Sequence, residues 1–398
     1  MQRHTLLATM PLLSGVLLTA TLFSNVTMAQ TLNTKDIQSL VDSAVKPLMA
    51  EYGIPGAVIG ITIDGKQYFY QYGVSSKITG QSVTEHTLFE IGSISKTFTA
   101  TLANYAQIEG KLTLTDMASD YVPALKGSHF DKISLINLAT HAAGDLPMQV
   151  PDKVTNNAEI MDYLKHWQPS FAAGTHRNYA NPSIGLLGMI AAQSLDKTFH
   201  QALEQTLFPQ LGMASSYIQV PSSKMADYAQ GYNKQDMPVR VNPGVLADEA
   251  YGVKTTATDL LHFVEANMQM HPLAKPLQTA LDETHTGYFD VGMMTQDMIW
   301  EHYSYPIDLD KILEGHTQEV VFGSTPVKPI VPPLAPQQNV WINKTGSTGG
   351  FAAYAAFIPA QKLGIVLLSS KESAFLEGGF DLPLEGAIPR TYIICNDN

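Results

Sequence analysis

Apolar residues near the start of the chain recur at helical spacing. Ile37, Leu40, Val41, Ala44, Val45, Leu48, Met49 and Tyr52 lie three or four positions apart, which predicts an amphipathic helix over 36–52. The period then shortens. Residues 57–63 and 67–72 are β-prone runs separated by Asp64-Gly65, a pair that favours a two-residue type I′ hairpin. Helical spacing returns between Gly110 and about residue 250, with helices predicted over 133–142, 157–167 and 183–195. Pro326, Pro329, Pro332, Pro333 and Pro336 crowd together and read as a surface loop. Residues 350–358 and 363–370 are again strand-like and predict a second hairpin. Strands therefore bracket a helical middle. The simplest solution is a mixed α/β (α+β) architecture: one antiparallel sheet joins both chain ends, helices flank it, and a mainly helical domain is inserted. On this reading residues 30–110 and 250–371 form the sheet domain, and 111–249 the helical one.

The chain's first 29 residues read differently. Arg3, an apolar run from Leu6 to Phe23 and the small-residue site Thr27-Met28-Ala29 predict a secretory signal. Ser14, Gly15 and several threonines interrupt the run and no basic cluster follows it, so it reads as a cleaved leader rather than an anchor. After signal removal no membrane association is expected. The formal net charge of -12 argues against nucleic acid and anionic membrane surfaces as partners. Cys395 is the one cysteine, so an exported form would have no internal disulfide.

The candidate chemistry centres on Phe89-Glu90-Ile91-Gly92-Ser93-Ile94-Ser95-Lys96-Thr97, which reads as a strand end, a glycine turn and a helix start. A serine on the first helical turn meets unpaired backbone N–H groups and the positive end of the macrodipole, and Lys96 shares its face. That suits Ser93 to act as a nucleophile. Ser-x-x-Lys also occurs at Ser43-Lys46 and Ser194-Lys197. The first pair lies mid-helix on the polar flank, and the second at a helix C-terminus, where the partial charge has the wrong sign. Two further motifs stand out. Tyr179-Ala180-Asn181 precedes a helix begun by Pro182-Ser183, and Lys344-Thr345-Gly346-Ser347 leads into Gly349-Gly350 and a strand. Each alone reads as a cap, or as a turn before a strand. Gly60 to Lys66 imitates a phosphate loop, but Gln67 stands where Ser or Thr is required. Thr345-Gly346-Ser347-Thr348-Gly349 lacks the first glycine of a Gly-x-Ser-x-Gly elbow, and no His-Glu-x-x-His is present. No metal and no cofactor are expected.

Ser-x-x-Lys, Tyr-x-Asn and Lys-Thr-Gly in this order resemble the class C (AmpC-type) serine β-lactamases. The resemblance also takes in residues 144–152, Asn181 to Leu186, Arg240 to Gly244, Ala250 to Lys254 and Trp300-Glu301, and covers about 35–371. It implies a fold shared with penicillin-binding proteins and a periplasmic monomer that hydrolyses small-molecule β-lactams, cephalosporins favoured, through a Ser93 acyl-enzyme. Lys96 and Tyr179 would be the proton-transfer pair, with Lys344 beside them. The N–H groups of Ser93 and Ser347 would form the oxyanion hole. Gln149 and Asn181 would hold the substrate's acylamide and Tyr251 its side chain. Lys344, Thr345, Gly346 and Ser347 would line the carboxylate site. A D,D-peptidase or esterase of the same fold, or a binding protein without useful turnover, are the alternatives. Several positions depart from the family pattern. His141 stands where Tyr is usual, Asp145 and Ala352 replace glycines, and Ile299 stands where Gly is common. Residues 372–398, with Pro383, Gly386 and Pro389, do not continue as the family's terminal helix.

Overall fold

The computed structural model describes residues 34–242 and 244–371. The leader and the divergent tail read from the sequence lie outside the described residues. Helix α1, Thr34–Tyr52, forms as its spacing predicts and buries Ile37, Val41 and Val45. Strands β1, Gly56–Ile63, and β2, Lys66–Gly73, follow as a hairpin. Asp64 and Gly65 both take positive φ, 50° and 80°, as a type I′ turn requires.

Seven more strands complete one antiparallel sheet. They are β3, Gly287–Asp290; β4, Thr295–Gln296; β5, Glu301–Ser304; β6, Lys328–Leu334; β7, Val340–Thr348; β8, Phe351–Ile358; and β9, Leu363–Ser369. Their order is β6-β3-β4-β5-β7-β8-β9-β1-β2. The predicted hairpin of 350–358 and 363–370 is β8–β9. Strand β9 also pairs with β1, from Ala57 opposite Ser369 to Ile63 opposite Leu363. The first and last strands of the sheet in sequence, β1 and β9, thus pair next to the edge that β2 forms.

Two predictions need correction. Lys344-Thr345-Gly346-Ser347 is not a turn before a strand but part of β7. The proline-rich stretch is not a loop: most of it forms β6, paired with β3 and irregular between Pro329 and Leu334. Proline lacks an N–H for the ladder, so such a strand is confined to an edge, where β6 lies. In addition, the helix expected over 133–142 is only Leu135–Ala139. It is capped by Ser134, and the chain turns left-handed at His141, with φ 57°.

The sheet separates two apolar layers because neighbouring side chains alternate between its faces. Ala57, Ile59 and Ile61 pack with α1, whereas Val58 faces the helices on the other side. Those helices include α2, Ser95–Ile108; α3, Asn181–Ser194; α4, Ala257–Asn267; and α5, Lys275–Glu283. Helix α2 packs against both α3 and α5. Phe98, fully buried in its first turn, stacks on Phe263 of α4, ring centroids 4.1 Å apart, and meets Phe208 edge-on at 5.5 Å. Among the described residues no helix is long and apolar enough to cross a membrane.

Phe98→Ala should cost about 3–5 kcal/mol, since it opens a cavity where α2 meets two further elements. Urea unfolding checks this, and a loss below about 1 kcal/mol would show that the neighbouring helices collapse into the space.

Candidate active site

Ser93 lies in a single 3₁₀ turn, Gly92–Ile94, that runs directly into α2. Strand β7 crosses this turn with almost no space between the two backbones. A Cβ on Gly92, whose φ is +48°, would fall 2.3 Å from Ser347 O, and one on Gly346 would fall 2.0 Å from Ile91 O. Only glycine allows this approach at either position. It brings Ser347 beside Ser93.

Lys96 occupies the first turn of α2 and is completely buried. Its Nζ donates to Ser93 Oγ at 2.9 Å and to the Ala250 carbonyl at 2.9 Å. Burial, reinforced by the charge of Lys344, holds its pKa well below the ordinary lysine value. The other Ser-x-x-Lys pairs have no such setting. Ser43 Oγ is bound to Leu40 O and Lys46 to Asp42 on an exposed face, while Ser194 Oγ is bound to Ala191 O.

Tyr179 follows the short strand His176–Asn178, and its ring lies among three cations. Lys96 Nζ is 5.0 Å from the ring centroid, Lys344 Nζ 5.3 Å and Arg177 Cζ 5.9 Å. Burial raises the phenol pKa, against the opposing effect of a hydrogen bond with Ser93. Lys344 is also buried, which lowers its pKa although Glu301 works the other way.

The structure brings Ser93, Tyr179, Lys344, Thr345, Gly346 and Ser347 together around one open cleft. Lys96 lies beneath it. Asn181 and Gln149 do not line the cleft but pair beside it, Asn181 Nδ2 donating to Gln149 Oε1 at 2.9 Å. The Asn181 backbone N–H donates to the carbonyl of Met148, which does line it. Asn181 Oδ1 is buried without a hydrogen-bond partner among the described residues. Tyr251 is half-buried at the end of the helix Ala247–Tyr251, next to the carbonyl that receives Lys96, and also lies outside the cleft lining.

Arg177 and Glu301 had been given no role from the sequence. Both line the cleft and form a buried ion pair at 2.7 Å. Arg177 also donates to Gln296 Oε1 at 2.6 Å and to Val320 O at 2.8 Å. Burial alone would raise the Glu301 pKa, but Lys344, Arg177 and His316 outweigh it and hold the group below its ordinary value. The signal for Arg177 is its place two residues before Tyr179 in an extended segment, on the same side of the chain. Met148, Val321 and Phe322 supply apolar wall, with no motif to mark them. Among the described residues no cluster of three or more His, Cys, Asp or Glu could hold a metal ion.

A carboxylate with a lowered pKa contributes stability at pH above its ordinary range, and that contribution is lost as pH falls through the folded value. Arg177→Met should therefore cost about 3–5 kcal/mol at neutral pH by removing the ion-pair partner of the buried Glu301. The deficit should shrink toward acid pH, where Glu301 protonates. Urea unfolding at several pH values measures both, and a pH-independent deficit would place the loss elsewhere.

Comparison with known proteins gives this geometry a family. A family model described as Beta-lactamase matches residues 41–385, past residue 371 where the resemblance read in the sequence ends. A beta-lactamase of Pseudomonas fluorescens is 51% identical over 336 residues, covering 84% of this chain and 94% of that protein. A solved structure from Pseudomonas syringae, described as a beta-lactamase/D-alanine carboxypeptidase, is 51% identical. It has a TM-score of 0.85 and covers 88% of this chain and 98% of its own. A class C beta-lactamase solved in complex with cefoxitin is 50% identical, with a TM-score of 0.84 and coverage of 87% and 98%. With half of its residues shared across nearly the whole of these proteins, the chain belongs to the beta-lactamase family, in its class C serine branch.

Proposed function

We propose that the protein opens the β-lactam amide through an acyl-enzyme on Ser93, with cephalosporins favoured. One observation carries the reading: a buried Lys96 amine, its pKa lowered by that burial, sits 2.9 Å from the Oγ of a serine that lines a cleft. Burial acts in opposite senses on the two proton carriers. It drives Lys96 toward the neutral amine and keeps the Tyr179 phenol protonated. Lys96 Nζ therefore takes the Ser93 proton as Oγ attacks the lactam carbonyl carbon. The oxyanion is received by the N–H groups of Ser93 and Ser347. As the C–N bond breaks, the leaving nitrogen takes the Tyr179 hydroxyl proton, and the Lys96 ammonium restores it. Water then attacks the acyl carbon, its proton passing to the same pair and its hydroxyl to the carbon; as the C–Oγ bond breaks, the pair returns that proton to Ser93 Oγ.

Lys344, Thr345 and Ser347 present a cation and two hydroxyls on one strand, donors suited to a substrate carboxylate. The unsatisfied Asn181 Oδ1 is an acceptor for an amide N–H of the substrate, with Gln149 beside it and Tyr251 toward its side chain. Binding of cefoxitin by a half-identical relative agrees with this substrate class. The same reading makes residues 1–29 a leader for export to the periplasm, after which the protein is a monomer. It also divides the chain into a sheet domain, 30–110 with 250–371, and a helical domain, 111–249. The Pseudomonas syringae neighbour, described also as a D-alanine carboxypeptidase, favours peptide carboxyl-terminal hydrolysis as a second activity of the same serine.

Nitrocefin turnover beside intact-mass detection of the acyl adduct tests the proposal. An adduct that persists without turnover would sink it and leave a penicillin-binding protein. Ser93→Ala should abolish the adduct, whereas Ser43→Ala and Ser194→Ala should not. Tyr179→Phe should lower kcat more than about a hundredfold, the scale of positioned acid–base catalysis. Lys96→Arg should lose at least as much, because a guanidinium cannot be deprotonated to act as base. A near-wild-type rate in Lys96→Arg would leave the phenol to act alone.

A further inference from the structure

His141 touches the segment that carries Tyr179 at three points. Its backbone carbonyl accepts the Asn178 N–H at 2.8 Å. Its ring Nδ1 accepts the Ala180 N–H at 3.3 Å. Its ring packs on the Tyr179 ring, centroids 4.3 Å apart and planes inclined by 39°. One residue thus grips the positions before, at and after Tyr179. Its left-handed backbone, φ 57°, is what lets carbonyl and side chain address the same segment.

The hydrogen bond fixes the tautomer. Nδ1 accepts, so the proton of the neutral ring is on Nε2. Burial first, and then the charges of Arg177, Lys96 and Lys344, hold the imidazole neutral. That matters because the Tyr179 ring already lies among these three cations, with Glu301 as the one carboxylate acting on it. A fourth positive charge would be unfavourable there. The ring is almost fully buried, and Nε2 has no hydrogen-bond partner among the described residues. The nitrogen that bonds the backbone beside Tyr179 is therefore the one through which the ring acts. A tyrosine at this position could stack, but it carries no ring acceptor to take the Ala180 N–H.

We propose that His141 is a positioning residue that fixes the Tyr179 hydroxyl for proton transfer, by combining a ring contact with an acceptor for the neighbouring backbone. It rests on the role given to Tyr179 above. His141→Phe keeps a ring and deletes the acceptor, while His141→Asn keeps an acceptor near the Nδ1 position and tolerates the left-handed backbone. In His141→Phe, kcat for nitrocefin should fall about ten- to a hundredfold, the scale of a misplacement near 1 Å, with KM within about twofold. His141→Asn should recover most of that loss. A purely structural role would lower the melting temperature without splitting kcat from KM.

Wild-type kcat in His141→Phe overturns the proposal, as does a loss that His141→Asn fails to recover. If His141→Phe does not fold, His141→Gln replaces it, since its amide reaches one carbon further and should show the same loss. Tyr179→Phe, measured in parallel, separates the two readings. A near-wild-type rate there defeats the role of the phenol itself. A large defect there with unaffected His141 variants defeats only the positioning role.

Discussion

The site depends on one backbone contact, that of strand β7 with the turn carrying Ser93. No side chain fits between them at Gly92 or Gly346. This contact sets Ser347 against Ser93 and brings Lys344 and Thr345 to the same cleft. It also joins the two parts of the chain most distant in sequence among the site residues, because β7 belongs to the sheet and the turn begins α2. Local sequence could not impose such an approach. It needs β7 held in register by β5 and β8, which pair with it on either side.

A second constraint is charge. Lys96, Lys344 and Arg177 surround Tyr179, and Glu301 is the carboxylate that offsets them. Burial disfavours the charged form of both lysines and lowers their pKa values, that of Lys96 beside Ser93 the more strongly. Arg177 is matched to three acceptors: Glu301, Gln296 and the Val320 carbonyl. Val320 belongs to the short helix Gln318–Phe322, whose Val321 and Phe322 line the cleft. The residue paired with Glu301 is thus also the one that ties the Tyr179 segment to the apolar wall.

Much of this was legible in the sequence, for separable reasons. Helix α1 and the β1–β2 hairpin follow from spacing and turn chemistry, which are local. The three motifs were found because they are short and ordered, and the structure brings them to one place. What could not be read depends on partners distant in sequence. The proline-rich stretch became strand β6 because the sheet offers an edge beside β3. The Lys344 segment became strand because β5 and β8 flank it. The Ala250 carbonyl that receives Lys96 has no side-chain signature at all. Arg177 and Glu301 are ordinary charged residues until the fold buries them together.

Three of the positions that the sequence marks as departures from the family pattern share a physical feature. His141, Asp145 and Ile299 all lie in the left-handed region, with φ of 57°, 81° and 69°. For a β-branched residue this is a genuine outlier, costing on the order of 1–3 kcal/mol, and it persists only where the surroundings over-determine it. The surroundings do so here. Ile299 is buried, and its N–H donates to Ala139 O, two residues before His141. His141 then grips the Tyr179 segment, and Asp145 Oδ1 accepts the Ser170 N–H. At 145 and 299 the backbone thus follows a path that glycine would take most easily, with an Asp and an Ile side chain hung on it. At 141 the consequence falls on Tyr179, whose ring rests on an imidazole that also holds the next residue in place.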